Sequence, residues 1–308
     1  MADGAIDQLR AENLWQPFAR KFPPIGKASW FVANPQRGVS EIGGLSEPKD
    51  EILTYACAAT DPQVYERWGT RAPTGLLLVG PPESGKTLLA ETLATRAATP
   101  FIAIRVPRLI LQTLHSPGDA GAFLNAWTEL LAEMPRITVY FREVDFQHAQ
   151  TLIGRRPDLP VTQAMDFLLE FVDRTITADN ALVLASSSAP ESLSPILLEP
   201  GRFERVVWVQ PVVPDDVVAA LCLHADRAEL KAGRKLFEEI AWTDLVKHKE
   251  RATVGEWVRV LHAVLRRKAR CEAADEEPGG VTTSDLIREI ERFERAPGAL
   301  PESPGRYL

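Results

Sequence analysis

The sequence lacks several features that would assign it to a common class of protein. Its three cysteines, Cys57, Cys222 and Cys271, are far apart and form no CxxC pair, so neither a zinc site nor a disulfide framework is indicated. No window approaches 18 uninterrupted apolar residues, and the printed sequence does not open on a basic segment followed by an apolar core. We therefore expect a protein of the reducing cytoplasm, with neither a membrane span nor a secretion signal.

Positive charge is also scarce, since 35 Lys and Arg face 42 Asp and Glu, for a net charge of −7. This balance argues against non-specific attraction to nucleic acid, and neither nucleic acid nor a membrane is expected as a partner. The composition, 45% hydrophobic and 25% charged, is typical of a globular protein. A length of 308 residues predicts one large or two small domains.

From residue 39 onward, apolar strands alternate with helical segments. Strands are predicted at 75–79, 101–106, 137–141, 181–186 and 206–209, with helices near 48–59, 86–98, 120–132 and 162–172. Strands separated by helices indicate crossover connections and a parallel sheet. After the prolines at 211 and 214 helical patterning dominates. The sequence thus predicts an α/β fold, a doubly wound parallel sheet followed by a small helical domain.

Residues 80–87 read GPPESGKT, which fits the phosphate-loop pattern GxxxxGK[ST] and directly follows a predicted strand. Such a loop surrounds a phosphate with backbone N–H groups at the positive end of a helix dipole. Gly80 and Gly85 permit the tight backbone, Lys86 would reach the β and γ phosphates, and Thr87 would offer its hydroxyl to Mg²⁺. The candidate nucleotide-binding residues of this segment are Pro82, Glu83, Ser84, Gly85, Lys86, Thr87 and Leu88.

Further segments flank the phosphate loop. Residues 41–49 read EIGGLSEPK, residues 73–82 read PTGLLLVGPP and residues 197–205 read LLEPGRFER. In this order they resemble the AAA ATPase family, which includes the proteasomal ring ATPases and the membrane-bound AAA proteases, over about residues 39–293. The resemblance implies a P-loop NTPase sheet subdomain, a small helical AAA lid, ATP or ADP as ligand, and a ring, usually a hexamer, with other AAA subunits as partners.

The resemblance also divides the chain. Residues 38–212 would form the large nucleotide-binding subdomain and residues 213–295 the helical lid. Residues 1–37, which combine aromatic and basic side chains such as Trp15, Phe18 and Arg20, are interpreted as an N-terminal extension that could dock a protein partner. Residues 296–308, with three prolines and two glycines, are predicted to be a flexible tail.

Other site residues are assigned by the resemblance alone. Ile42 and Gly43 match the family's adenine-contacting Ile-Gly-Gly, and His224 matches a histidine near the ribose. Gly255 and Glu256 resemble the lid motif Gly-Ala-Asp, which closes over the adenine side.

Two arginines near the end of the sheet subdomain, Arg202 and Arg205, match the family's arginine fingers. A finger reaches the γ-phosphate bound by the neighbouring subunit, where its guanidinium stabilises the charge of the transition state. The match therefore implies that this chain works beside another AAA subunit.

The chain departs from the family where hydrolysis is concerned. The strand that should end in Asp-Glu ends in Arg142 and Glu143, which places a cation where family members hold magnesium through an aspartate. The change costs on the order of several kcal/mol next to a divalent ion at an effective dielectric near 20, so Mg²⁺ binding should weaken sharply. Asp145 could move in to serve instead, although it lies three residues further on and already matches a family aspartate.

Two more substitutions point the same way. Ser188 stands where the family's water-positioning sensor 1 residue is usually Asn, and Glu83 replaces a glycine beside the phosphates. Arg142 could offset the charge of Glu83, pair with Glu143, or contact the γ-phosphate in place of the metal, and the sequence does not rank these roles. We count Arg142, Glu143 and Ser188, with Arg202 and Arg205, as the candidate catalytic residues.

The interval between the second and third predicted strands contains no aromatic residue from 108 to 119, whereas threading AAA unfoldases carry an aromatic pore loop there. The first interpretation is a nucleotide-binding, hydrolysis-impaired AAA subunit that acts as a structural or regulatory member of a ring. One alternative is an active remodelling ATPase with a rebuilt metal site. Another is a monomeric ATP-responsive scaffold with residues 1–37 as its docking arm.

Overall fold

The computed structural model describes residues 2–113, 120–145, 161–250 and 252–295. Within these ranges the strands are β1 (Ser29–Val32), β2 (Leu76–Val79), β3 (Phe101–Arg105), β4 (Ile137–Arg142), β5 (Ala181–Ser187) and β6 (Arg205–Trp208). The α-helices are α1 (Ala2–Lys21), α2 (Pro23–Ala28), α3 (Ser46–Thr60), α4 (Gln63–Arg67), α5 (Lys86–Arg96), α6 (Val106–Thr113), α7 (Ala120–Glu133), α8 (Val161–Ile176), α9 (Asp215–Ala232), α10 (Trp242–His248), α11 (Val254–Glu272) and α12 (Thr283–Arg295). The predicted tail at 296–308 lies outside the described residues.

All six strands form one sheet in the order β1-β3-β4-β5-β2-β6, in which β2 to β6 are parallel. Their residues are nearly all apolar, as expected for strands covered by helices on both faces. The five predicted strands are confirmed to within one residue at either end. Because parallel strands end at the same edge, the segments that follow β2, β4 and β5 lie together, and ligands of open α/β sheets bind at this edge.

The N-terminal segment is built into the sheet subdomain. β1 pairs antiparallel with β3, with Trp30 opposite Ala103. Trp15 and Phe18 of α1 are buried, and the Phe18 ring lies 5.8 Å from that of Trp127 in α7. The aromatic rings that suggested a docking arm therefore pack into the chain's own core. They are buried there because an edge strand and an amphipathic helix need other apolar side chains to cover their apolar faces.

The chain divides into two compact units. Unit 1 comprises Met1–Val39, Glu47–Pro81 and Lys86–Val209, and unit 2 comprises Ser40–Ser46, Pro82–Gly85 and Gln210–Leu308. The main hydrophobic cluster of unit 1 lies on one face of the sheet, where it takes alternate residues of the strands, and it includes the aromatic cluster of Phe123, Trp127 and Phe171.

The described part of unit 2 is mainly helical. Trp257, Leu261 and Val264 of α11 pack with Leu245 and Leu286 in its core. No helix among the described residues is both long and apolar enough to cross a membrane.

Candidate nucleotide-binding site

The phosphate loop connects β2 to α5. Gly85 has φ +102° and Glu83 has φ +62°, both in the left-handed region that favours glycine. The chain keeps the family's glycine at position 85, but at position 83 a glutamate stands in its place. Ser84 is buried, and its hydroxyl makes no hydrogen bond within the described part of the chain. A buried hydroxyl without a partner is a group that a phosphate oxygen would satisfy, so the loop fits the ligand that its sequence predicts.

Lys86, the first residue of α5, folds its ammonium onto the loop. Nζ donates to the carbonyl oxygens of Gly80 and Pro81, both at 2.7 Å. Burial lowers the pKa of Lys86 to about 8; the carboxylates of Asp145 and Glu143 oppose this shift, and the charge of Arg142 adds to it. The ammonium is thus within electrostatic range of the groups at the end of β4.

Glu83 has its own cationic partner. Its Oε1 accepts from Nη1 of Arg259, on α11, at 2.6 Å. A Cβ on Gly255 would lie 2.1 Å from Oε2 of Glu83, so the glycine is needed for this carboxylate to lie there. The ion-pair partner of Glu83 in the structure is therefore Arg259, which the sequence did not predict.

The residues predicted to contact the adenine and the ribose lie in unit 2. Ile42 is buried, and Gly43 touches the backbone of α9 so closely that a Cβ would lie 2.3 Å from Cα of Ala220. His224 is half-buried with its ring 5.9 Å from that of His262. Burial lowers the pKa of His224, and the neighbouring His262 lowers it further, which favours a neutral ring.

Glu256 has a structural task at the start of α11. Its Oε2 accepts from the backbone N–H of Thr253 at 2.8 Å, while the Thr253 hydroxyl accepts from the N–H of Glu256 at 3.1 Å. This reciprocal pair is a capping box, which satisfies two backbone donors that the helix leaves open. Its role in nucleotide binding stays a prediction.

At the end of β4, the Arg142 guanidinium lies over the face of the Trp30 ring, 4.9 Å from its centroid. Nη2 is 4.0 Å from Oε1 of Glu143, the outer limit of an ion pair. No hydrogen bond to any described residue holds the guanidinium. Glu143 has φ +60° and an exposed side chain.

Asp145 is fixed by the end of β5. Its Oδ2 accepts from the Ser187 hydroxyl at 3.0 Å and from the backbone N–H groups of Ser188 and Ala189 at 2.9 and 2.7 Å. With only 7% of its surface exposed, the carboxylate holds the two loops together. These contacts favour a role as a clamp over the alternative that Asp145 moves in as a metal ligand, because moving the carboxylate would take the acceptor away from three donors. Ser188 is exposed just beyond β5.

These residues are a poor match to a tightly held Mg²⁺. Thr87 can offer a hydroxyl, but the position that should carry a carboxylate carries the Arg142 cation, and Asp145 is committed. Hard divalent ions prefer oxygen ligands with negative charge, and among the described residues at this end of β4 only Glu143 supplies one beside the hydrogen-bonded Asp145.

Both finger candidates lie at the opposite edge of the sheet. Arg205 begins β6 opposite Leu76, the first residue of β2, whereas the phosphate loop follows the last. Three residues of strand separate the two edges by about 10 Å. Arg205 pairs with Glu51, and its hydrogen bond lowers the pKa of that carboxyl.

Arg202 is bound more completely. Its Nε and Nη2 donate to the two carboxylate oxygens of Asp173 at 2.6 and 2.8 Å, and Nη1 donates to Glu199 at 2.9 Å. The side chain is only 19% exposed. In this conformation its donors serve its own chain.

Three functional contacts were not predicted from the sequence. The stack of Trp30 on Arg142 depends on β1, for which no strand was predicted, and the ion pair of Glu83 with Arg259 joins residues 176 apart. The clamp by Asp145 had a signal, since the residue follows the predicted strand and matches a family aspartate.

The sheet order and the loop after β2 define a domain of the phosphate-loop nucleotide-binding class. Residues 76–211 match the ATPase family associated with various cellular activities (AAA). The chain therefore carries an AAA ATPase domain, a family that implies nucleotide binding.

Individual relatives are 28 to 29% identical to this chain. Protein SAV of Sulfolobus acidocaldarius is 28% identical over 77% of this chain and 29% of its own length. The proteasome-activating nucleotidase of Saccharolobus solfataricus is 28% identical over 67% of this chain and 52% of its own. The nuclear valosin-containing protein-like of Mus musculus is 29% identical over 64% of this chain and 23% of its own length. The chain thus spans about half or less of these curated relatives.

Proposed function

We propose that this chain binds ATP or ADP, hydrolyses ATP slowly or not at all, and acts as a structural or regulatory subunit of an AAA ring or larger assembly. The loop after β2 supports binding, because it keeps Lys86, Thr87 and a buried hydroxyl without a partner. The three cysteines are unpaired, which supports a reducing compartment such as the cytoplasm.

The proposal of impaired hydrolysis rests on one observation, which is the set of residues at the end of β4. Arg142 occupies the position of the metal-holding aspartate, and Asp145, three residues further along the same segment, already accepts three hydrogen bonds. A weakly held metal neither neutralises the phosphates nor positions them for transfer, so turnover falls.

The proposed assembly rests on the arginines at the other edge of the sheet. Arg202 and Arg205 lie where β6 begins, at the end of the strands that is remote from the phosphate loop. From there a guanidinium would serve a nucleotide on another subunit rather than its own. The proteasome-activating nucleotidases among the relatives support an oligomeric arrangement, and the partner in it is part of the proposal.

One observation favours the alternative of an active ATPase. Glu143, the residue that would polarise water, is kept, and its side chain is 45% exposed at the edge where the phosphate loop lies. An enzyme with a rebuilt metal site would use this carboxylate with a cation other than tightly bound magnesium.

Nucleotide affinity and turnover of the purified chain, with Mg²⁺ and with EDTA, test the proposal. We expect measurable ATP affinity but turnover well below about one per second. Lys86→Ala removes a charge-assisted contact to phosphate and should weaken affinity about 10- to 100-fold. Arg142→Asp restores the family residue and should raise both turnover and its dependence on Mg²⁺.

Lys86→Arg is the matched control, since it keeps the positive charge and tests whether the effect of Lys86→Ala is electrostatic. Turnover of the unaltered chain at about one per second or more would favour the active alternative. An unchanged affinity in folded Lys86→Ala would show that the loop does not bind nucleotide.

A further inference from the structure

Among the candidate arginines Arg142, Arg202 and Arg259, Arg142 differs in the contacts that hold its guanidinium. Arg202 fills its donors with carboxylates of its own chain, and Arg259 donates to Glu83. The Arg142 guanidinium has no hydrogen bond to a described residue, and its carboxylate neighbour Glu143 is at 4.0 Å. Its side chain is nonetheless 23% exposed and ordered by an aromatic face.

That aromatic face belongs to a ladder across the sheet. The Trp30 ring on β1 lies 6.4 Å from Phe101 on β3, and Phe101 stacks at 6.1 Å on Tyr140 of β4. Tyr140 and Arg142 are two residues apart on one strand, so they face the same side of the sheet. A guanidinium over an indole is attracted by the negative face of the ring. Trp30 therefore fixes a cation at the carboxyl end of β4.

This end of β4 is near the phosphate loop. Phe141 pairs with Ala185 of β5, and Ala185 pairs with Leu77 of β2, so Arg142 is level with Leu78. β4 and β2 are two strand spacings apart, about 10 Å. The phosphate loop begins two residues beyond Leu78.

We propose that Arg142 binds the terminal phosphates of a nucleoside triphosphate in place of magnesium, with Trp30 as the residue that positions it. This inference rests on the proposed function, because it concerns the same nucleotide. The guanidinium presents a planar fork of donors that matches phosphate oxygens, and it carries the positive charge that the metal would otherwise bring. The ligand class is a metal-free nucleoside triphosphate.

The arrangement also gives the N-terminal segment a role at the site. Trp30 lies outside residues 76–211, which match the AAA family, and it reaches the site because β1 extends the sheet beyond β3. The edge strand thus supplies the aromatic face on which the Arg142 guanidinium lies. Displacing β1 would release Arg142 and reduce triphosphate affinity.

Calorimetric titration of ATP and ADP in EDTA and in Mg²⁺ tests the proposal. The unaltered chain should bind ATP in EDTA within about threefold of its affinity in Mg²⁺. Arg142→Gln should weaken ATP binding in EDTA about 10- to 100-fold with a smaller effect on ADP, since the terminal phosphate loses a charge-assisted contact. Trp30→Leu should weaken it about 2- to 30-fold, whereas Trp30→Phe should retain most of the affinity.

Controls separate positioning from loss of structure. Phe31→Leu alters the adjacent residue of the same strand, whose ring stacks on Trp15 at 5.8 Å, and should leave the ratio of ATP to ADP affinity unchanged. In the Arg142→Gln background, Trp30→Leu should have no further effect, because the two residues act as a unit.

The outcomes distinguish this inference from the function on which it rests. If the unaltered chain binds no nucleotide in either buffer, the proposed function fails. If it binds ATP only with Mg²⁺, nucleotide binding stands and the replacement of magnesium by Arg142 is wrong. If Trp30→Leu behaves like Phe31→Leu while Arg142→Gln weakens ATP binding, Trp30 does not position the arginine.

Discussion

The loop after β2 and the segments after β4 and β5 lie at one edge of the same sheet, but they differ in what they keep. The loop keeps the groups that we propose bind phosphate, namely Lys86, Thr87 and the buried hydroxyl of Ser84. The segments after β4 and β5 keep their supporting hydrogen bonds through Asp145, but a cation has replaced the carboxylate that would hold a metal.

Under the proposed function, nucleotide binding and hydrolysis depend on separate parts of this edge of the sheet. Binding needs backbone donors and a positive charge at one loop. Hydrolysis also needs a metal, a positioned water and charge stabilisation in the transition state, which come from other strands and from a neighbouring subunit. A chain can lose the groups needed for hydrolysis and still gain binding free energy from the groups that contact phosphate.

The arginines at the remote edge allow the largest test of this separation. In the Arg142→Asp background, which should regain turnover, Arg202→Ala with Arg205→Ala should lower the rate by a factor of about 10³ to 10⁵ and leave ATP affinity almost unchanged. Adding the Lys86→Ala chain, which keeps both arginines, should restore part of the rate if the fingers act between copies. Steady-state phosphate release measures both effects.

The single variants sharpen this prediction. Because Asp173 and Glu199 occupy the donors of Arg202, most of the loss should come from Arg205, which is more exposed. Arg202→Ala alone should instead lower thermal stability. Equal rates with and without the arginines would show that both are structural, and the monomeric ATP-responsive scaffold would become the better interpretation.

Asp145 tests whether the segments after β4 and β5 are scaffold or metal site. Asp145→Ala removes the acceptor of two buried donors and one partly buried donor, and should lower the free energy of unfolding by about 2 to 5 kcal/mol. Glu143→Ala, at an exposed neighbouring carboxylate, should change it by about 0.5 kcal/mol or less. Denaturant unfolding monitored by circular dichroism compares the two.

A metal ligand would give the reverse pattern. If Asp145→Ala weakens the Mg²⁺ dependence of ATP binding and leaves stability nearly intact, the carboxylate moves in the complex and our assignment of a fixed clamp is wrong.

The features that could be predicted are those that a short stretch of sequence determines by itself. The parallel strands and the phosphate loop were predictable because buried strands are continuous apolar runs and the loop's glycines, lysine and threonine stand at fixed spacing. The role of residues 1–37 was not, since α1 and β1 are stabilised by burial against α7 and β3 rather than by a pattern of their own. Arg142 was recognised as a departure, but only the pairing of β1 with β3 places Trp30 against it.

The ion pair of Glu83 and Arg259 provides the smallest expected effect, and it concerns the one charge that makes the phosphate loop unlike the family. Both side chains are about 40% exposed, so their coupling in a double-mutant cycle should be about 0.2 to 1 kcal/mol and should fall with added salt. Glu83→Gln removes a negative charge beside the phosphates and should strengthen ATP binding about two- to fivefold, whereas Arg259→Gln leaves that charge unpaired and should weaken it by a similar factor. The double variant should lie near the unaltered chain, as measured by ATP titration at low and high salt. Strictly additive effects would mean that Arg259 does not neutralise Glu83, and the charge of the loop would then need another partner.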